Sequence, residues 1–186
     1  MASGRRSKLG IVLLLVVATA AAAQALTRVR GTISGFDGKT LTVDGKTQVL
    51  LVETTEIVFL QPIALADIKP GDFLGVTSMK RPDGTLTALD VRRFPKPLNP
   101  GHRPFDGRDD QTMTNATVSA TVQAASGREL TMTYEGGAQK IVVPPGAAIS
   151  TQVPGNRGHL VAGAPVNLQH DANHVVVRMQ VSPPPK

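Results

Sequence analysis

The densest group of chemically capable side chains in this chain lies between residues 99 and 117, in the run NPGHRPFDGRDDQTMTNAT. It combines an imidazole, guanidinium groups, carboxylates and an amide. The guanidinium and amide groups suit an anion or another polar ligand, although they can equally pair with the neighbouring aspartates and simply pin the segment in place. The candidate ligand-binding residues are His102, Arg103, Asp106, Arg108, Asp109 and Asn115.

The same run offers a second interpretation as a metal site. One imidazole with two or three carboxylates is a reasonable set of ligands for a divalent cation. Their spacing matches neither a calcium loop nor a zinc motif. We therefore expect no metal and no cofactor, and keep metal binding as the alternative; its ligands would come from His102, Asp106, Asp109 and Asp110.

Motifs for catalysis are absent from the sequence. It contains no cysteine, which excludes a thiolate nucleophile and a disulfide framework. It also lacks a G-x-S-x-G elbow, an H-E-x-x-H helix and a glycine-rich phosphate loop. We therefore expect a protein that is not an enzyme.

The first 25 residues have the pattern of a secretory signal peptide. Arg5, Arg6 and Lys8 precede an apolar run from Leu9 to Ala18, and Ala23-Gln24-Ala25 is an A-x-A cleavage site. The apolar run is short for a membrane span. We expect a mature chain that starts at Leu26, is periplasmic or secreted, and meets the membrane only through the uncleaved leader.

The charge of the mature chain gives little support to nucleic-acid binding. The formal net charge of +6 includes Arg5, Arg6 and Lys8 of the leader, so the mature chain carries only +3. Nucleic-acid binding requires a concentrated basic face. With five Phe, one Tyr and no Trp, the chain also has few aromatic rings on which bases could stack.

Beyond the leader the sequence predicts an all-β protein. Short runs of alternating apolar and polar residues follow one another, and none shows a sustained helical period. Asp44-Gly45 predicts a tight hairpin turn, and Pro82-Asp83-Gly84 predicts the turn of a second hairpin. Residues 65–69 can form one helical turn, which Pro70-Gly71 would stop.

The two halves of the chain carry similar patterns of strands and turns. Shifts of 89, 92 and 88 residues align successive parts of the first half with the second, and the shift changes only at predicted turns. This pattern predicts an internal repeat forming two tandem small antiparallel β-barrels. The predicted segments are a signal peptide at 1–25, barrels at 26–95 and 117–181, a linker at 96–116 and a Pro-rich tail at 182–186.

Several short motifs resemble a secreted bacterial family of repeated small β-barrel domains of unknown function. These are DGKTLTV, LADIKPGD and PDGT in the first half, while GHRPFD and MTNATV are similar to the linker of one subgroup. The resemblance implies a barrel of the oligonucleotide/oligosaccharide-binding type and transfers no catalytic residues. Some members of the subgroup carry the label of metal-transporter permease, which one N-terminal hydrophobic segment does not support.

These observations predict an exported, non-catalytic binding or envelope-structural module. Its partner would be an envelope protein or a polar ligand, bound at the seam between the two barrels. The alternative is a periplasmic metal-binding accessory protein that uses the His/Asp cluster. Prolines 97, 100 and 104 restrict the linker, and Phe105 and Met113 can dock on the barrels, so we expect the linker to be ordered. The sequence does not fix the oligomeric state.

Overall fold

A computed structural model describes residues 25–124 and 127–185 of this chain. The expected signal peptide lies, apart from Ala25, outside these residues. Among the described residues, no helix has the length and apolar character that a membrane crossing requires.

The first half of the chain forms six strands, as the alternation predicts. In β2, Leu41 and Val43 are buried while Thr40 and Thr42 are only partly covered, which is the period of two of a strand with one face in the core. A single 3₁₀ turn at Leu65–Asp67 occupies the predicted helical position. The strands are β1 (Thr27–Phe36), β2 (Thr40–Val43), β3 (Thr47–Leu50), β4 (Glu56–Pro62), β5 (Phe73–Lys80) and β6 (Leu86–Phe94).

Seven strands follow in the second half, with a 3₁₀ turn at Arg157–His159. The prediction of an all-β fold is confirmed. The strands are β7 (Gly101–Phe105), β8 (Arg108–Ala124), β9 (Gly127–Tyr134), β10 (Gly137–Val143), β11 (Ala148–Pro154), β12 (Pro165–His170) and β13 (Val176–Val181).

Hydrogen bonding joins these strands into one large mixed sheet in the order β10-β9-β8-β5-β6-β11-β4-β13-β12-β1-β2-β3, with β7 paired to β8. The first half does not close on itself. Strand β1 pairs with β12, and β5 pairs with β8, so each half supplies partners for the other. Two tandem barrels, one from each half of the chain, are therefore not confirmed.

Both ends of this sheet curl back on themselves. At one end β10 pairs with β9 and also, in parallel, with β6, so that β5, β6, β10, β9 and β8 form a closed cycle of neighbours. At the other end Leu50 of β3 forms a parallel bridge with Val175, just before β13. Each curl encloses apolar side chains.

Two separate hydrophobic clusters fill these curls, and each draws on both halves of the chain. One contains Leu41 and Val43 from β2 together with Leu168 and Met179 from β12 and β13. The other cluster contains residues of β5 and β6 together with residues of β8, β9 and β10. Because both clusters mix residues from the two halves, neither half has a complete core of its own.

Strands β4 and β11 cross between the two clusters. They pair antiparallel over five positions, with Leu60 opposite Gln152 at the centre. Strand β4 also runs parallel to β13, and β11 runs parallel to β6. The extended course of β4 carries the chain away from β1–β3, so β5 and β6 complete the second cluster instead of the first.

Candidate functional site

The predicted linker forms a β-hairpin made of β7 and the start of β8. Its two-residue turn is Asp106-Gly107, with φ values of 59° and 69°, and Phe105 faces Arg108 across it. Positive φ at both central residues is the geometry of the type I′ turn that Asp-Gly favours. Asp106-Gly107 is the same dipeptide as Asp44-Gly45, so this turn could have been predicted from the sequence in the same way.

Strand alternation sends the predicted site residues to different places instead of one pocket. The imidazole of His102 lies 2.8 Å, Nδ1 to Oγ1, from the hydroxyl of Thr114 opposite, and its partial burial lowers its pKa. Asn115, the next residue along β8, is buried, and its amide donates hydrogen bonds to the carbonyl oxygens of Leu98 and Asn99 at 3.0 and 3.2 Å. Asn115 thus holds the chain that enters the hairpin.

The charged groups near the turn mostly neutralise one another. Arg108 donates two hydrogen bonds to the carboxylate of Asp110, at 3.0 and 2.9 Å. The hydrogen bond from Arg108 lowers the pKa of Asp110. Arg103 donates to the carbonyl oxygen of Asn99 at 3.2 Å. These contacts fit the interpretation that the arginines pin the segment.

Asp106 makes the one long-range ionic contact of the hairpin among those that the structure describes. Its carboxylate lies 3.3 Å from a guanidinium nitrogen of Arg30 on β1. This contact joins the hairpin turn to β1, a strand that is far from β7 and β8 in the strand order, and both side chains are about half exposed. His102, Arg103 and Asp109 instead border an open depression of about 400 Å³ beside Lys80 and Gln139.

The hairpin residues do not gather into a metal centre. Within residues 25–124 and 127–185, no group of three His, Cys, Asp or Glu side chains is arranged to hold a metal ion. His170 and His174 stack with ring centroids 5.0 Å apart, but His170 Nδ1 lies 2.7 Å from the carbonyl oxygen of Asp171, its hydrogen-bond partner.

A different set of residues lines a cavity of about 330 Å³ between the hairpin and the body of the sheet. We call it the seam cavity. Strand register explains its walls, because Arg92 and Asp90 of β6 lie opposite Gly75 and Thr77 of β5, on one face of the sheet. Its lining includes Arg30, Asp90, Arg92, Phe94, Phe105 and Met113, and also Gly75, Thr77 and Asn167.

Asp90 and Arg92 form the polar pair of the seam cavity. A guanidinium nitrogen of Arg92 lies 2.9 Å from the Asp90 carboxylate, and another donates to the side-chain oxygen of Gln180 at 3.3 Å. Burial raises the pKa of Asp90, and the positive charge of Arg92 opposes that rise. The pair therefore lies in a poorly solvated place, where an ionised ligand group interacts more strongly than at the surface.

Buried polar atoms near this pair have no hydrogen-bond partner within the described part of the chain. They include Nε of Arg92, Oγ of Ser150 and Oδ1 of Asn115. Ser150 lies directly opposite Arg92 in the β11–β6 register, but it is not among the residues that line the cavity. Buried polar groups are normally paired, and an ordered water or an ion is the usual partner of those that no protein group reaches.

Gly75 gives the seam cavity its aromatic wall. A Cβ atom at this position would lie 2.5 Å from Cε2 of Phe94 and 3.0 Å from Oδ1 of Asn115. The ring of Phe94 can therefore lie close over β5 only because residue 75 has no side chain. The tilted ring of Phe73, with its centroid 6.4 Å from that of Phe94, supports the wall from the other side.

The seam cavity continues along the sheet face as a groove. A neighbouring hollow of about 270 Å³ shares Arg30, Arg92 and Asn167 with it. A smaller one of about 120 Å³ shares Asn167 and adds Arg28 and Arg178. Most residues of this face therefore come from strands that are distant in sequence.

Comparisons with protein-family models, with curated proteins and with solved structures find no match to this chain. Its function must therefore be argued from the geometry described above. Phe105 and Met113 were named from the sequence, whereas Arg30, Asp90 and Arg92 were not among the candidate residues. No local motif marks those three, because they lie on β1 and β6, which are distant in the sequence and in the strand order.

Proposed function

We propose that this protein is an exported, non-catalytic binding module whose ligand occupies the seam cavity. The observation that carries the proposal is a cavity wall that brings two arginines, Arg30 and Arg92, together with Phe94 and Phe105. Binding pockets typically combine mostly apolar walls with a few fixed polar groups. The ligand would contact the residues that line the seam cavity, such as Arg92 and Phe94, and not the charged residues of the hairpin.

The scaffold of this module would be a pair of barrels that exchange strands between two copies of a repeat. The shift of 92 residues that aligns the halves carries Val58–Pro62 onto Ser150–Pro154. The antiparallel β4–β11 pairing is centred on Leu60 and Gln152, which the same shift relates to each other. Such a pairing is what a two-fold axis between two equivalent strands would produce. A seam between two equivalent units follows directly from this arrangement.

The proposal includes no chemical step. The carboxylate of the seam cavity, Asp90, is paired with Arg92 at 2.9 Å, which makes it part of the polar wall. The alternative of a metal-binding accessory protein has less support, since the residues described here offer no set of three suitable ligands.

A ligand screen by NMR on residues 26–186 tests the proposal. Met113→Trp should fill the cavity with a larger side chain and abolish the amide shift changes that a ligand causes around Arg92 and Phe94. Val122→Trp is the matched control, because Val122 lies on the same strand, β8, but its side chain is 55 % exposed and lines none of the cavity. Ligands that bind Met113→Trp as tightly as the wild type would contradict the proposal.

A further inference from the structure

Arg92 and Arg30 bring positive charge to the lining of the seam cavity. One terminal nitrogen of Arg92 lies 2.9 Å from the carboxylate of Asp90, and the other donates a longer hydrogen bond, of 3.3 Å, to the neutral side chain of Gln180. Because hydrogen bonds to an ionised group are the stronger kind, a ligand carboxylate can replace Gln180 as the partner of that nitrogen.

Arg30 supplies a second, less committed positive charge. Its ion pair with Asp106 is 3.3 Å long, and the two side chains are 46 % and 49 % exposed. Exposed pairs of this kind are weak, so the guanidinium group can turn from Asp106 to a ligand at little cost. The lining of the seam cavity then offers two guanidinium groups against one carboxylate, that of Asp90.

The rest of the lining is apolar and favours a ligand with a hydrophobic body. Phe94, Phe105 and Met113 border the cavity. A volume of about 330 Å³ is at the small end of the range for ligand pockets, which fits a small molecule better than a polymer. A guanidinium group binds the two oxygens of a carboxylate with matched geometry.

We infer that the seam cavity binds a small organic monocarboxylate that carries an aryl or branched alkyl body. The carboxylate would lie between Arg30 and Arg92, and the body would pack against Phe94, Phe105 and Met113. This inference rests on the proposed function and adds the chemical class of the ligand to it. A free acid and the carboxyl terminus of a peptide share this chemistry, and the small volume of the cavity favours the free acid.

The test is titration calorimetry of residues 26–186 with probes that share one body and differ in the head group. The probes are 3-phenylpropionate, 3-phenylpropanamide and 3-phenylpropan-1-amine, with acetate as the head group alone and phenylalanyl-phenylalanine as a peptide carboxylate. We expect 3-phenylpropionate to bind at least about tenfold more tightly than each of the others, since one charge-assisted contact contributes on the order of a tenfold factor.

Two variants assign the contact to the arginines. Arg30→Gln should weaken 3-phenylpropionate binding by about tenfold and leave the fold intact, because the side chain is half exposed. Arg92→Lys should weaken it further, and circular dichroism would show whether the fold is retained. Arg103→Gln is the control, since Arg103 is on the hairpin but is not part of the cavity lining.

The outcomes separate this inference from the proposed function. Equal binding of the acid and the amide, both lost in Met113→Trp, would overturn the carboxylate assignment while the cavity remained a binding site. Failure of 3-phenylpropionate to bind, or undiminished binding to Arg30→Gln and Arg92→Lys, would also overturn it. Tighter binding of the dipeptide would show that the carboxylate is that of a peptide and would overturn the free-acid assignment.

Discussion

The exchange of strands between the halves predicts which core residues depend on one another. Gly31 of β1 lies opposite Val166 of β12, and Cγ1 of Val43 lies 2.6 Å from the position that a Cβ on Gly31 would occupy. Val43 and Val166 are thus both neighbours of Gly31 and belong to one cluster. Val76, in the same half of the chain as Val43, belongs to the other cluster.

We predict that Val43→Ala and Val166→Ala interact energetically, whereas Val43→Ala and Val76→Ala do not. All three valines are buried, with exposures of 1 %, 4 % and 0 %. Each replacement removes two methyl groups and should lower the free energy of unfolding by about 2 kcal/mol, at about 0.8 kcal/mol per buried carbon plus a cavity term. The coupling of the first pair should exceed about 0.5 kcal/mol, while distant pairs add within about 0.3–0.5 kcal/mol.

Urea denaturation of the wild type, the three single variants and the two double variants measures these terms at constant m-value. The Val43/Val166 double variant should be less destabilised than the sum of its single variants, because the contact they share can be lost only once. Coupling of Val43 to Val76, with none to Val166, would refute the exchanged arrangement. That result would support barrels formed separately by each half.

Four further predictions concern single residues and one exposed segment. Gly31→Ala should lower the free energy of unfolding by about 1–3 kcal/mol through overpacking, whereas Gly35→Ala on the same strand should change it little, because nothing lies within 4 Å of its added Cβ; chemical denaturation compares the two. The raised pKa of Asp90 means that the folded protein binds this proton more tightly than the unfolded chain does, so stability should fall as the pH rises from about 3.8 through the raised folded pKa. A pH series of melting curves should show that Asp90→Asn removes this loss of stability. The pKa of Asp110 is lowered instead, so Asp110 should contribute stability that is lost as the pH falls. The variant Asp110→Asn should lack this contribution. Finally, a protease site placed in the exposed segment 95–100 should give two pieces that co-elute in native size-exclusion chromatography and separate only in urea; separate elution under native conditions would argue against interlocked halves.

Local features of the sequence were enough to predict the individual strands and several turns. The alternation around Leu41 and Val43 predicts β2, and the structure confirms it. The turn at Asp44-Gly45 is also confirmed, with both residues at positive φ and a hydrogen bond from Lys46 N to Val43 O. These predictions succeed because side-chain period and turn chemistry act between residues that are close in the chain.

The candidate site was predictable only in part. Phe105 and Met113 were expected to dock against the rest of the protein, and both line the seam cavity. The predicted site residues instead separate: His102 borders an open depression, the buried Asn115 holds the chain before β7, and Asp106 in the turn pairs with Arg30. A cluster in sequence is not a cluster in space when successive side chains of a strand point to opposite faces.

Composition, hydrophobic alternation and turn residues alone therefore determined that this protein is built of short strands, with a tight turn at Asp44-Gly45 between two of them. The choice of partner for each strand was decided by tertiary structure. Because the two halves carry similar apolar patterns, β5 and β12 are both plausible neighbours of β1, and the local sequence gives little preference. The course of β4, which pairs with β11 instead of folding back, makes that choice. The same choice brings Arg30 to Asp106, and with it Arg30 and Arg92 to one cavity, across residues that no sequence motif connects.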